Sequence, residues 1–203
     1  MARNYENMQI QFYEDEEGQK INIKGAEILG GSFSNFAGTK TRFTKEGDRY
    51  FNLAVPFDKV QQFADQGINV KFWRSSNEDE DDTEEMPGFV KVKINYDFWR
   101  KPQIALREGV NGQWVEMQES SLHMLDKTRF DDVGLILKVN RGQMPNGTPY
   151  VTLYLRNGFF TKHVNEPNAY EADMFGSYGY SPAGENVWNG MPAPVSDEEV
   201  PFK

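Results

Sequence analysis

The alternation of apolar and polar side chains in Phe89–Tyr96 constrains the fold more than any other feature of the chain. Every second residue from Val90 to Ile94 is aliphatic, and the residues between them are lysines. A period of two places the apolar side chains on one face of a β-strand and the polar side chains on the other. Similar patterns recur through residues 20–160, so we expect a mainly β protein.

The order of the predicted elements favours one β architecture. The first strand has a phase slip at Gly25, which indicates a β-bulge. The helix is expected to be capped by Asp58 and to end at Gly67. The elements are strands at 20–30, 40–44 and 50–55, then the helix, then strands at 68–72 and 89–96. This β-β-β-α-β-β order is typical of the OB-fold, a partly open five-stranded barrel, although other folds share it.

Beyond residue 96 the sequence predicts more β-structure and then a change of character. The elements expected there are strands at 103–107 and 113–117, a short helical stretch at 120–126, and strands at 133–139 and 150–156. The last two strands form a hairpin that we expect to extend the barrel or to cover its edge. Residues 165–203 show no period, so we expect a folded domain at 1–164 followed by a flexible, disordered tail.

The formal net charge of −9 is concentrated in two segments. Residues 78–85, in a predicted acidic loop at 75–87, hold seven acidic side chains and no basic one. The tail at 165–203 holds seven acidic side chains and one base, Lys203. Removing these seven and six net negative charges from the total leaves +4 for the rest of the chain. The body can therefore attract phosphate although the whole chain is acidic.

The polar faces of the predicted strands combine aromatic rings with basic side chains. This combination suits single-stranded nucleic acid, because bases stack on the rings while Lys and Arg contact the phosphates. The candidate DNA-binding residues are Phe33, Phe36, Lys40, Arg42, Arg49, Tyr50, Lys71, Trp73, Arg74, Lys91, Lys93, Tyr96, Trp99, Arg100, Lys101, Tyr150, Tyr154 and Arg156. A generic β domain is the alternative reading of these residues, since about half of such aromatics are expected in a core.

Catalysis and metal binding have little support in the sequence. The chain has two His and no Cys, and it lacks the motifs of serine hydrolases and phosphate loops. The acidic side chains of 78–85 lack the spacing and the glycine of a calcium loop. No long apolar run predicts a membrane span, and the N-terminus does not resemble a signal peptide. We therefore expect no enzyme activity, no cofactor, no metal, no membrane partner and a cytoplasmic location.

The end of the chain resembles a known protein family. A Gly- and Pro-rich stretch leads to three acids and then to a Pro-Phe pair, in the residues Asp197, Glu198, Glu199, Pro201 and Phe202. This sequence resembles the acidic tip of bacterial and phage single-stranded DNA-binding proteins. The resemblance implies that the tip docks on partner proteins and competes with DNA for the basic groove. Lys203 departs from the family pattern, in which Phe is commonly the last residue.

The body of the chain is similar to the same family. Residues 50–72 resemble the strand, helix and strand passage of OB-fold single-stranded DNA-binding proteins. The segments Asn35–Gly38 and Glu46–Phe51, together with Leu125, Asp126 and the final hairpin, resemble a phage-encoded branch. The resemblance implies an OB-fold barrel with extra β-hairpins, one or two short helices and a disordered C-terminal tail.

Composition, charge and resemblance together predict a protein that binds and protects single-stranded DNA during phage replication, recombination or repair. It would act without catalysis and recruit replication or recombination proteins through its tip. Homo-oligomerisation is left open. The alternative is an acidic DNA mimic or inhibitor that binds a basic host protein, and the positive body counts against it. The acidic residues at 78–85 would repel phosphate, so we expect that loop to point away from the groove or to lower the affinity.

Overall fold

A computed structural model describes residues 7–42, 44–72 and 88–164, which lie in the first of two units of the chain, Met1–Val164. The predicted acidic loop, Trp73, Arg74 and the tail with its tip lie outside these residues. The described strands are β1 Gln9–Asp15, β2 Gly18–Lys24, β3 Ile28–Asn35, β4 Arg49–Val55, β5 Gly88–Ile94, β6 Gln103–Glu108, β7 Val115–Glu116, β8 Phe130–Gln143 and β9 Pro149–Lys162. An α-helix, α1, spans Phe57–Asp65, and a 3₁₀ helix spans Glu119–Lys127.

The strands form one sheet whose main path runs in the order β1-β2-β8-β9-β5-β4-β3. Neighbours on this path are antiparallel, except that β5 and β9 are parallel. The β6 strand pairs in parallel with the second half of β9, and β7 pairs with β6. Because β2 and β3 are consecutive in the chain but lie far apart on this path, the sheet curls back toward itself.

Residues 25–27 join β2 to β3 and link the two sides of the curled sheet. The backbone N–H of Ala26 donates to the carbonyl of Val133 in β8, and the N–H of Ala54 in β4 donates to the carbonyl of Glu27, both at 2.9 Å. Gly25 has a φ of 64°, a left-handed conformation that glycine adopts at little cost. The chain thereby changes partner strand at Gly25, and the result is a partly open barrel of the OB type.

The predicted fold class is confirmed, but the predicted strand assignment is partly wrong. The barrel strands are β2–β3, β4, β5, β8 and β9, so the long final hairpin belongs to the barrel itself. Residues 68–72 contribute only an isolated bridge between Lys71 and Phe89. The helix between the third and fourth barrel strands is the 3₁₀ helix, and α1 lies earlier in the chain. Alternation reveals which face of a strand is buried, but it does not reveal which strands pair.

The inward faces of the strands fill the barrel with apolar side chains. In β5 these are Val90, Val92 and Ile94, all at most 3% exposed, as the alternation predicts. The ring of Phe36 stacks on that of Phe51 at a centroid distance of 5.5 Å. Further members, all fully buried or nearly so, are Ile21, Ile23, Leu53, Ile104, Leu135, Leu137, Leu153, Leu155 and Phe160. The outward face of each strand is left to polar and aromatic residues.

Helix α1 is confirmed, with a correction at its start. Its N-cap residue is Pro56, and no side chain caps the helix by a hydrogen bond. Asp58, predicted to be the cap, lies in the first turn, where its negative charge still interacts favourably with the helix dipole. Phe63 is the buried residue of the helix, and Gly67 follows its end with a φ of 69°. The helix therefore packs on the core through a narrow apolar stripe.

Candidate nucleic-acid interface

The outward face of the barrel carries aromatic and basic side chains in alternation across four strands. The register aligns Tyr50 of β4 with Lys93 of β5, and Lys93 with Tyr154 of β9. Tyr154 is in turn aligned with Lys138 of β8. Neighbouring strands lie about 4.8 Å apart, so these four residues, which we call the aromatic–basic row, span roughly 14 Å. Stacking surfaces and positive charges are thus set side by side across the sheet.

The row ends on one side at a neutralised cation. Lys20 of β2 is aligned with Lys138, but its ammonium nitrogen lies 2.5 Å from a carboxylate oxygen of Asp15 and 2.9 Å from one of Glu17. Lys20 is 9% exposed. Lys93 and Lys138 form no salt bridge with any other described residue, so a phosphate would meet their positive charge rather than that of Lys20.

Lys91 adds a second cation on the same face of β5. Its ammonium nitrogen lies 3.6 Å from the centroid of the Tyr50 ring, which is a cation–π contact. Burial lowers the pKa of Lys91, and the charges of Lys93 and Lys71 lower it further, while Asp48 raises it. The three lysines repel one another, so an anion placed among them would relieve that repulsion.

Residues 95–102, which connect β5 to β6, bring further rings over the row. The ring of Phe98 meets that of Tyr154 edge-on, with centroids 5.1 Å apart. Trp99 is 90% exposed, and the guanidinium carbon of Arg100 lies 5.8 Å from its ring centroid. Burial, with the nearby Tyr150, raises the pKa of Tyr154, so its hydroxyl stays neutral beside a phosphate. An exposed tryptophan next to a basic row is a suitable surface for a nucleic-acid base.

The loop at 36–48, between β3 and β4, borders the row. Hydrogen bonds from the Asn35 side chain connect the two ends of this loop. The Asn35 amide donates to the carbonyls of Thr39 and Asp48, at 3.0 and 2.9 Å. Its side-chain oxygen accepts a hydrogen bond from the N–H of Thr39 at 2.9 Å. The two ends of the loop are thereby tied together. The exposed residues Lys40 and Arg42 lie within it.

A second anchor of the loop comes from the 3₁₀ helix. The Asp126 carboxylate accepts hydrogen bonds from the backbone N–H groups of Phe36 at 2.7 Å and Ala37 at 2.9 Å. Asp126 lies about 90 positions after Phe36 and Ala37 in the chain. Asp126 thus holds the start of the loop in place, and a segment that is already held loses less conformational entropy when it binds a ligand.

Four residues predicted to bind DNA have structural roles in the fold. Phe36 is fully buried and stacks on Phe51, so no base can reach it. Arg49 pairs with Glu119 at 3.0 Å, and Tyr96, half-buried against the core, lies beside it. Burial and the charge of Glu119 raise the pKa of Tyr96.

Arg156 is the fourth. Its guanidinium donates to a carboxylate oxygen of Glu17 at 2.9 Å and to the carbonyl of Arg100 at 2.7 Å. Its side chain is 10% exposed. Arg100 shares the carboxylate of Glu17, although its own side chain is 57% exposed. Arg156 therefore fixes the segment that carries Trp99 and does not face solvent.

The remaining predicted residues divide by location. Tyr50, Lys93 and Tyr154 come together in the row, Lys91 lies beside it on β5, and Trp99 and Lys101 lie on the segment at 95–102. The other described candidates are Phe33, half-buried on β3, and the exposed Lys71 and Tyr150. One member of the row, Lys138, is absent from the predicted residues. The outward position of Lys138 follows from its place between Leu137 and Val139, whereas its alignment with Tyr154 depends on strand pairing that alternation does not reveal.

Among the described residues, no group of three or more His, Asp or Glu side chains is placed to hold a metal ion. Within the same residues, no helix is long and apolar enough to cross a membrane.

Comparison with known proteins yields one family and several structures. A family model described as a phage ssDNA-binding domain matches residues 11–174. No curated protein is similar enough to the chain to count as a match. Three structures of the single-stranded DNA-binding protein from bacteriophage Enc34 are similar at the level of the fold. Its C-terminal truncation has a TM-score of 0.44 at 11% identity, covering 80% of this chain and 98% of that one.

The other two Enc34 structures give similar values. The complex with ssDNA has a TM-score of 0.46 at 9% identity and covers 83% of this chain and 96% of that one. The third Enc34 structure has a TM-score of 0.42 at 9% identity and covers 79% of this chain and 93% of that one.

Proposed function

The chain belongs to the family of phage single-stranded DNA-binding domains, and from that premise we propose that it binds and protects single-stranded DNA without catalysing a reaction. Phage DNA replication, recombination or repair in the host cytoplasm is the setting that we propose for it. The observation that carries the proposal is the aromatic–basic row, in which the register of four strands alternates two tyrosines with two lysines.

The row suggests how a strand would bind. Bases would stack on Tyr50 and Tyr154 and on the exposed Trp99, while phosphates would contact Lys91, Lys93 and Lys138. Stacking on an aromatic side chain contributes about 1–3 kcal/mol per base and depends little on sequence. Lysine contacts to phosphate add affinity that falls as salt rises. Both contributions favour binding without sequence preference, as a coating protein requires.

The acidic tail would serve a second purpose, the recruitment of replication or recombination proteins. This part of the proposal is supported by the sequence of the tip alone, in which Asp197, Glu198 and Glu199 precede Pro201 and Phe202. Substituting Phe202→Ala should weaken the capture of such partners while leaving DNA affinity unchanged. A loss of DNA affinity in that variant would show that the tip belongs to the DNA site.

The alternative, an acidic DNA mimic, requires negative charge on the face that meets its partner. The face described here presents three lysines beside Tyr50 and Tyr154. A mimic would bind a basic protein and not an oligonucleotide, so a titration with oligo-dT separates the two functions.

The test is a titration of fluorescently labelled oligo-dT at several salt concentrations with matched variants. Tyr154→Leu removes the ring and should weaken binding about 5- to 150-fold, whereas Tyr154→Phe keeps the ring and should bind nearly as the unchanged protein does. Lys93→Gln should lower the slope of log affinity against log salt by about 0.7. Lys127→Gln removes an exposed lysine from the 3₁₀ helix and should leave that slope unchanged.

Two results would refute the proposal. One is an unchanged protein that fails to bind oligo-dT at low salt. The other is equal affinity of Tyr154→Leu and Tyr154→Phe, which would show that the row is not the binding surface.

A further inference from the structure

A second exposed aromatic cluster lies where β6 and the chain just before β7 meet the second half of β9. The rings of Trp114 and Phe159 meet edge-on with centroids 5.6 Å apart, and the guanidinium carbon of Arg107 lies 4.5 Å from the Trp114 ring centroid. Trp114 is 45% exposed and Phe159 is 43% exposed. We call these three residues the Trp114 cluster. Two exposed rings and a half-buried guanidinium thus lie together at the surface.

The arginine of this cluster is held in place by neutral groups. Its Nε donates to the hydroxyl of the fully buried Thr161 at 2.9 Å, and its Nη1 donates to the carbonyl of Val110 at 3.0 Å. Arg107 forms no salt bridge with any carboxylate in the described part of the chain. Its positive charge is therefore oriented beside Trp114 and remains available to an anion.

A β-bulge in β9 brings the cluster onto the same outward face as the aromatic–basic row. Ile136 is aligned with Asn157 and Leu137 with Leu155, so Arg156 is the extra residue. Before the bulge the outward positions have even numbers and include Tyr154; after it they have odd numbers and include Phe159. The burial agrees at Phe159, which is exposed, and at Phe160, which is fully buried. Thr161, at the next outward position, is fully buried and accepts the hydrogen bond from Arg107. Without the bulge, Phe159 would point into the barrel.

The two surfaces lie on the same face of β9. Tyr154 and Phe159 are aligned with Lys138 and Gly134, four positions apart on β8, which is roughly 13 Å along a strand. The β6 strand that carries Arg107 pairs with the part of β9 that holds Phe159. An extended strand bound at the row can therefore continue along β9 onto the cluster.

We propose that the Trp114 cluster is a second contact site for single-stranded DNA, in which bases stack on Trp114 and Phe159 and a phosphate pairs with Arg107. This inference rests on the proposed function. It adds the path of the bound DNA, which would run from the row along β9 to the Trp114 cluster. The unpaired cation favours a polyanion as the occupant over an apolar protein surface, although Val110 and Val115 are also exposed nearby.

Glu116 provides an independent way to probe the charge of the occupant. It is exposed, it is aligned with Ala105, and Ala105 is aligned with Phe159. A phosphate at Arg107 would be repelled by this carboxylate. Glu116→Gln should therefore raise DNA affinity if the cluster binds DNA and should have no such effect if it binds an uncharged protein surface.

The test uses the full chain and a ladder of oligo-dT from about 4 to about 16 nucleotides, the range of site sizes for OB-folds. Trp114→Leu should bind the shortest oligonucleotides as the unchanged protein does and should bind the longest about tenfold more weakly. Glu116→Gln should bind only the longer ones more tightly. The control is Phe57→Leu, which removes a 49% exposed ring from α1 and should have no effect at any length.

Three results would overturn the inference. Trp114→Leu and Phe57→Leu could have the same affinities at every length. Trp114→Leu could lose affinity equally at all lengths, which would indicate a structural role. It could instead alter self-association in sedimentation without altering DNA affinity, which would make the cluster a protein interface. If the unchanged protein binds no oligonucleotide of any length, the proposed function fails, and this inference fails with it.

Discussion

Replacing Asp126 with Ala should destabilise the fold through the loop at 36–48. The carboxylate accepts hydrogen bonds from the N–H groups of Phe36 and Ala37 at 2.7 and 2.9 Å. A hydrogen bond to a charged group contributes about 1.5–3 kcal/mol, and a buried donor left without a partner costs about 1–3 kcal/mol. Ala37 is only half-buried, so water can replace part of the loss. We expect the free energy of unfolding to fall by about 2–4 kcal/mol.

The measurement is urea denaturation followed by circular dichroism, with two further variants. Asp126→Asn keeps one acceptor oxygen and should lose about half as much stability. Asp65→Asn is the control, because the Asp65 carboxylate is exposed on α1 and, within the described part of the chain, accepts a hydrogen bond from Gln61 alone. Its effect should stay within about 0.5 kcal/mol. If Asp126→Ala were no less stable than Asp65→Asn, the argument that Asp126 anchors the loop would be refuted.

Asp126→Ala also separates two contributions of the loop to DNA affinity, its fixed position and its positive charge. Freeing the start of the loop should lower DNA affinity severalfold, since the loop must then be ordered on binding. The salt dependence should not change, because Lys40 and Arg42 remain. Lys40→Gln, by contrast, removes a positive charge and should reduce the salt dependence.

Two more predictions follow from particular side chains. Phe36→Ala should lower the free energy of unfolding by about 3–5 kcal/mol in urea denaturation. At a temperature where the variant is folded, its DNA affinity should be unchanged. Weaker binding by the folded variant would show that Phe36 contacts DNA. Because burial and neighbouring lysines lower the pKa of Lys91 from its ordinary 10.5, its charge should be lost at a lower pH than that of an ordinary lysine. Affinity for oligo-dT should therefore fall with rising pH before the other lysines titrate, and Lys91→Arg should bind without that early fall; identical pH profiles of the two proteins would contradict the argument.

The sequence predicts the faces of the strands better than their partners. In β5 the alternation correctly separates Val92 from Lys93, because the period of two is a property of one strand alone. The alignment of Lys93 with Tyr154 depends instead on a parallel pairing with a strand some 60 residues later. The sequence therefore leaves open whether the final hairpin extends the barrel or covers its edge, because pairing over this distance does not follow from the alternation of either strand.

Phe36 and Phe159 show a second limit of sequence reasoning, which concerns single residues. Phe36 lies in an irregular loop, where no alternation of apolar and polar residues predicts the direction of its side chain. In the structure it is fully buried in the core. Phe159 follows a bulge that reverses the phase of β9. A bulge in the middle of a strand leaves little trace in the sequence when, as here, the extra residue is an arginine. The phase of a pattern on one side of such a residue therefore does not predict the faces on the other side.

The pairing of β9 with three strands has a consequence for how the chain folds. Its first half lies beside β5 and its second half beside β6, while β8 covers its other edge along most of its length. During synthesis β5 and β6 leave the ribosome well before β9, so their edges stay unpaired until residue 162 or so is available. Such non-local pairing slows folding, and open strand edges favour association with other chains in the interval. We expect the nascent protein to need protection until its domain is almost complete, and truncations before β9 to aggregate and not to fold.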